Sequence, residues 1–243
     1  ELEAAICPST ALISLMWANN ETGVIQDVSG LAEMLHDRNI ILHSDAVQAA
    51  GKIPVEFKKL GVHSLSLSSH KLYGPKGVGA LVVDKQIALE PLISGGEQEG
   101  GLRAGTENVA AIVGFGKAAE LALTEMETRN ARFLELRDQM ESGLNEIPGL
   151  SIFSEEVERL PNTIQFGIPY MDGEMLLMQL DQKGFAVSSG SACSSGAGEP
   201  SHVLMAMGIE EKLAKSAIRL SIGKSNTEDE VRRFIEALKS LIS

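Results

Sequence analysis

The sequence predicts an α/β fold in its first half, a partial, parallel-rich sheet with crossover helices, and a smaller α+β second half. Two patterns carry this expectation. Before residue 84, short apolar runs of strand length alternate with helix-period segments, as parallel strands joined by crossovers require. After a long helical stretch, strands and helices become short and mixed. A chain of 243 residues can hold two modest domains. The boundary is expected inside the helical stretch, dividing 1–123, a sheet-based large domain, from 124–243, a small C-terminal domain.

Residues 11–16 read as a buried strand. In 28–38 the positions Val28, Leu31, Ala32 and Leu35 recur at helical spacing. Residues 39–42 begin the next strand, which ends in His43-Ser44-Asp45. Further strands are expected at 63–67 and 78–83. A glycine-rich loop, 93–105, leads into one long helix, 108–145, with a bend expected near Gly114 and Gly116. The second half reads as strands at 150–153 and 163–166, a helix at 173–182 and a strand at 185–187. A short helix at 202–207, a strand at 217–221 and a closing helix complete it. The closing helix has a start signal in Asn226-Thr227-Glu228-Asp229-Glu230, a polar cap followed by an acidic first turn.

Composition narrows the function classes. Apolar content of 44% is ordinary for a globular protein. A formal charge of −12 opposes nucleic-acid binding, which needs a basic face. No apolar run approaches the roughly 20 residues of a membrane helix. The opening Glu1-Leu2-Glu3 has no basic leader region, so no secretory signal and no membrane association are expected. Two cysteines, Cys7 and Cys193, make no disulfide framework, which points to a reducing, cytoplasmic setting. No Cys/His cluster has zinc spacing, so no metal is expected.

The chemistry concentrates in two segments. Ser68-Ser69-His70-Lys71-Leu72-Tyr73-Gly74 puts one lysine on a small-residue turn just after a strand. Covalent capture of a carbonyl needs such a setting: a rigid base, close backbone approach and adjacent donors. Ser188 to Ser195 reads Ser-Ser-Gly-Ser-Ala-Cys-Ser-Ser, with Cys193 among small polar residues rather than in an apolar element. A carbonyl-binding lysine with a nucleophilic thiol points to pyridoxal phosphate chemistry on a sulfur substrate. Ligands in parallel sheets sit at the carboxyl ends of strands, and Asp45 and Lys71 both fall there.

Each residue also has a plainer reading. Asp45 suits the acid that keeps a pyridine nitrogen protonated, or a helix cap for the following segment. Gln48 suits a partner for the ring hydroxyl, or a surface amide. Ser68 and His70 can both donate to a phosphate. The loop 101–106, ending in Thr106, suits a phosphate loop or ordinary turns. Arg219, in an alternating strand, suits a fork for a carboxylate or an outward arginine. His36, His43, His63 and Cys7 read as packing or surface residues.

Together these motifs resemble the cysteine desulfurases, in the class with a Ser-Ser-Gly-Ser-Ala-Cys loop. The resemblance rests on Ala18-Asn19-Asn20-Glu21-Thr22-Gly23, His43 to Gln48, Ser68 to Gly77, Gly101 to Thr106, Ser188 to Ser195 and Ser216 to Gly223. It implies a fold-type I, pyridoxal phosphate-dependent transferase-like architecture and a homodimer. It further implies that Lys71 carries the cofactor, Asp45 pairs with its ring nitrogen and Gln48 with its phenolic oxygen. Ser68, His70 and Thr106 would bind its phosphate, with His70 also catalytic. Asn20 would contact cofactor and, with Arg219, the carboxylate of L-cysteine. Cys193 would take the sulfur as a persulfide for an iron–sulfur scaffold or another acceptor protein. The resemblance also implies that family members carry roughly a further N-terminal third. A truncated non-catalytic fragment or subunit needing a complementing chain, and a selenocysteine lyase, are the alternatives.

Overall fold

The computed structural model describes residues 2–189 and 199–242. They form two compact units, one of residues 1–18 and 26–126, the other of 19–25 and 127–243. The segment 19–25 thus belongs with the later part of the chain.

The first unit runs α1 (Leu2–Ala5), β1 (Leu12–Met16), α2 (Val28–Leu35), β2 (Ile41–Asp45), α3 (Phe57–Leu60), β3 (Ser64–Ser68), β4 (Gly79–Val83) and α4 (Val109–Thr124). Its sheet has the order β1-β2-β3-β4. The first three strands are parallel, and β4 returns antiparallel to β3. The expectation of a buried strand at 11–16 needs correction. β1 is an edge of this sheet, and Leu12 is 56% exposed. Helix α2 starts where Asp27 accepts a hydrogen bond from the Gly30 amide at 2.8 Å. It ends at Leu35, before the expected residue 38, because the Arg38 amide turns back onto the Leu35 carbonyl.

The expected single helix over 108–145 is two helices, α4 and α5 (Met126–Asn145), separated at Glu125. The glycines do not bend it. Gly114 instead allows Pro75 to approach: a Cβ there would lie 2.6 Å from Pro75 Cγ. Ala118 and Ala122 of α4 pack with Ala50 and Leu72, so this small-residue face lies on the turn that carries Lys71.

The second unit continues with β5 (Ser151–Ile152), β6 (Thr163–Gly167), α6 (Gly173–Gln182), β7 (Ser188–Ser189), α7 (His202–Ala206), α8 (Glu211–Lys215), β8 (Ile218–Ser221) and α9 (Glu228–Ile242). Its sheet, in the order β5-β6-β8-β7, is antiparallel throughout. Phe133, Leu136, Met140 and Leu144 of α5 and Val231, Phe234 and Leu238 of α9 pack around Ile164, Phe166, Ile218 and Leu220. Spacings of three and four residues put each helical set on one face. Thr227 and Glu230 cap α9 reciprocally, each accepting from the other's amide. The strand expected at 185–187 lies instead at 188–189. Phe185 meets Phe234 edge-to-face at 5.4 Å and packs on the core without joining the ladder.

The two glycines of α4 separate close approach from intrinsic helix propensity. Gly114→Ala should destabilise the first unit by about 1–3 kcal/mol, because the added methyl meets a rigid proline ring. Outside its own helix, no atom of the described residues lies within 4 Å of a Cβ on Gly116. Gly116→Ala should therefore stabilise by up to about 1 kcal/mol. Urea unfolding midpoints of the two variants should move in opposite directions.

Candidate functional site

The carboxyl ends of β2 and β3 define one edge of the first sheet. Parallel register sets Asp45 opposite Met16 on one side and Ser66 on the other. Backbone hydrogen bonds fix this end: the Trp17 amide donates to the Asp45 carbonyl at 2.9 Å, and the Ala46 amide to that of Ser66 at 3.0 Å. Asp45 is half-buried, and its Oδ1 accepts from the Val47 amide at 2.8 Å. That bond shapes the turn after β2, so part of the plainer cap reading holds. Oδ2 has no hydrogen-bond partner among the described residues. Gln48 follows, half-buried on the same turn.

β3 ends at Ser68 and passes into a tight 3-10 turn, Ser69–Leu72. Tyr73 closes that turn at φ +64, a left-handed conformation unusual for a non-glycine residue. Ser68 Oγ and His70 Nδ1 lie 2.8 Å apart. Lys71 is exposed, and its amine has no hydrogen bond or ion pair among the described residues. Ser69 Oγ between them is buried without a partner. Gly74 gives the turn room, since a Cβ there would press on Ser69 Oγ and come 2.9 Å from Ala118 Cβ. Asp45, Gln48, Ser68, His70 and Lys71 therefore share one strand-end edge. Thr106 is exposed in the loop before α4, and no hydrogen bond joins it to that group among the described residues.

The other candidates lie in the second unit. Arg219 is half-buried on β8, paired with Gln165 of β6 on one side and Ser188 of β7 on the other. Its NH1 donates to the Asn20 carbonyl at 2.8 Å. Its Nε is buried without a partner, so donor capacity remains. Cys193 lies outside the described residues.

Two features escaped sequence reasoning. His43 bonds Ser14 Oγ through Nδ1 and Ser66 Oγ through Nε2, each at 2.8 Å, and so ties three neighbouring strands together. Glu21 is buried, with Ser201 and Gln165 on its carboxylate. The only signal for it was a carboxylate inside a polar turn ending at Gly23, whose φ is +77. Among the described residues no cluster of His, Cys, Asp and Glu could hold a metal, and no helix is long and apolar enough to cross a membrane.

A polar strand-end edge on a largely parallel sheet thus carries a lysine with no partner among the described residues. Over residues 1–234 the chain matches the aminotransferase class-V family model, and it belongs to that family. The relatives it resembles there are cysteine desulfurases. One from Gluconacetobacter diazotrophicus is 47% identical over 240 residues, covering 98% of this chain and 60% of the relative. The cysteine desulfurase IscS of Methanosarcina thermophila is 45% identical, covering 100% of this chain and 60% of the relative. The X-ray structure of a NifS-like protein from Rickettsia africae superposes with a TM-score of 0.91 at 37% identity, covering 99% of this chain and 64% of that one. The chain spans about 60% of the length of the curated relatives it matches.

The exposed Cys7 is a second thiol that any labelling of Cys193 must separate. Hydrogen bonds from the Ser9 side chain, then from Thr10, lower its pKa to about 7. The thiolate is the reactive form. Alkylation of Cys7, followed by peptide mass spectrometry, should rise through a midpoint near pH 7 and fall away below it. Ser9→Ala removes the largest stabiliser of the thiolate and should move the midpoint upward; an unmoved midpoint would contradict that cause.

Proposed function

We propose that this chain acts in pyridoxal phosphate-dependent desulfuration of L-cysteine. The carrying observation is the shared edge at the ends of β2 and β3, with a carboxylate, a hydroxyl–imidazole pair and a partnerless lysine side by side. The desulfurase relatives support the same reading. The donor set fits the cofactor: among the described residues one carboxylate oxygen of Asp45 has no hydrogen-bond partner, and Ser68 Oγ stands beside His70 Nδ1.

When bound, the cofactor supplies a carbonyl for amino groups and an electron-withdrawing ring. Lys71 is the residue to hold it covalently. Asp45 holds a proton at the ring nitrogen, and Gln48 donates to the phenolic oxygen. Ser68, His70 and Thr106 offer donors to the phosphate, and His70 is also placed for proton transfer. Arg219 and Asn20 receive the substrate carboxylate, with the guanidinium held in place at NH1 by the Asn20 carbonyl. The Cys193 thiolate attacks the substrate sulfur. The carbon–sulfur bond breaks, the sulfur remains on Cys193 as a persulfide, and the carbon skeleton takes a proton and leaves as alanine. No external oxidant is needed. The persulfide then passes to an acceptor thiol, such as that of an iron–sulfur scaffold, in a reducing compartment such as the cytoplasm. A homodimer is part of the proposal. Val109 and Val113 of α4, 64% and 67% exposed, offer an apolar face for it.

Two substitutions test the roles. Cys193→Ser should keep the visible absorption of bound cofactor and lose persulfide formation, read by mass spectrometry after incubation with L-cysteine. Persulfide on Cys7 instead, or sulfur release by the variant, would overturn the assignment. Arg219→Ala should retain cofactor and raise KM for L-cysteine roughly tenfold or more, since truncating one partner of a buried charge pair costs about 2–5 kcal/mol. An unchanged KM would contradict it.

A further inference from the structure

The turn 19–25 is built around a buried acid. Asn19 Oδ1 accepts from the amides of Glu21 and Thr22 at 2.9 and 3.0 Å and closes the turn. At Gly23 a Cβ would come 2.9 Å from Thr163 Cβ, so the turn lies tight on β6. This geometry sends the Glu21 side chain inward, where the residue is 6% exposed. Ser201 Oγ donates to Glu21 Oε2 at 2.5 Å, and Gln165 Nε2 reaches the same oxygen at 3.3 Å. Ser201 is 1% exposed and Gln165 fully buried. No lysine, arginine or histidine forms an ion pair with Glu21 among the described residues.

A buried carboxylate met only by neutral donors is costly, and an apolar residue would fill the same space at lower cost. Each partner of Glu21 sits at a consequential place. Gln165 faces Arg219 across the β6–β8 ladder. Asn20, next to Glu21 in the chain, accepts the Arg219 guanidinium on its carbonyl. Ser201 caps α7, accepting from the Leu204 amide at 3.2 Å. Of residues 199–201, Ser201 is the buried one. One carboxylate thus joins the turn that holds Asn20 to Arg219 with the cap of α7.

We propose that Glu21 is a positioning residue: it fixes Ser201, and with it the start of α7, against the turn that holds Asn20 to Arg219. The proposal rests on the reading of Arg219 as the carboxylate fork and of Cys193 as the sulfur acceptor. A charge-assisted bond suits this purpose because it is stronger and more directional than a neutral one. Glu21→Gln keeps an oxygen for Ser201 at reduced strength, whereas Glu21→Ala leaves both Ser201 and Gln165 unpaired.

The test uses the full chain with Glu21→Ala, Glu21→Gln, Ser201→Ala and the Glu21→Ala/Ser201→Ala double variant. Two readouts are followed: deuterium exchange resolved to residues 199–206 and to β6 and β8, and the ratio of Cys193 to Cys7 alkylation by iodoacetamide. Glu21→Ala should speed exchange at 199–206 by about tenfold or more, as expected for a lost hydrogen bond to a charged group. It should also change the alkylation ratio, while β6 and β8 exchange as in the parent. Glu21→Gln should recover most of both effects. Ser201→Ala should reproduce them, and the double variant should add little to the larger single effect. Unchanged exchange at 199–206, an unchanged ratio, or additive effects would overturn the proposal. Equal acceleration in β6 and β8 would also overturn it, since Glu21 would then be general support for the fold. If Glu21→Ala fails to fold, Glu21→Leu takes its place, because it fills the same space without an acceptor, whereas Ser201→Ala also removes the cap of α7. L-cysteine binding by Arg219→Ala separates the two levels. Parent-like binding with the Glu21 effects intact removes the carboxylate-fork reading and leaves the anchor. Weakened binding without Glu21 effects removes the anchor only.

Discussion

The register of three parallel strands is the constraint on which the first unit depends. In a parallel ladder the strand ends cannot slide independently, because a shift of one residue turns every side chain to the other face. Met16, Asp45 and Ser66 lie level across β1, β2 and β3. Asp45 and the Ser68–Lys71 turn therefore reach one edge together. His43 reinforces the register from within, bonding Ser14 on one side and Ser66 on the other. The turn gains rigidity from the packing of Leu72 against Ala118 and Ala122 and from the close approach that Gly74 permits. An amine on such a base loses little entropy on capture, and this favours Lys71 over Lys76 five residues on.

The second unit solves a different problem. Its antiparallel sheet is covered by α5, α6 and α9, and the apolar core sets its stability. The polar parts are placed where that core is interrupted. The 19–25 turn brings in Asn20 and Glu21, β8 supplies Arg219 and β6 supplies Gln165. A second buried polar group, Arg159 on Glu141 at 2.9 Å, sits beside the same turn, where Val24 bridges to Arg159. Replacing such a buried pair by apolar residues is often neutral for stability, whereas removing one partner alone is strongly destabilising.

Much of this was legible in the sequence, and the limits have physical causes. The strand ends at Asp45 and near residue 67 could be read because polar residues, His43-Ser44-Asp45 and Ser68-Ser69-His70, follow apolar runs. The α6 bounds agree with the expected 173–182, and in the structure Asp172 caps that helix. The break at Glu125 was hidden because 108–145 contains no proline and no glycine lies near Glu125; the interruption coincides with the edge of a compact unit. Gly114 and Gly116 looked like bend points, yet one serves contact with Pro75 and the other touches nothing. The partners of Glu21 lie 144 and 180 residues away in the chain. No local pattern could announce them. Cys193 was singled out for its Ser/Gly surroundings, and it lies outside the described residues.

The central claim is that the turn after β3 holds the cofactor through Lys71. Its most direct measurement is reductive trapping: the chain is incubated with pyridoxal phosphate, treated with borohydride, digested and mapped by mass spectrometry. The modification is expected on Lys71, with no labelled peptide from the Lys71→Ala protein. Modification centred on Lys76, or equal labelling of surface lysines with Lys71 unmarked, would contradict the account.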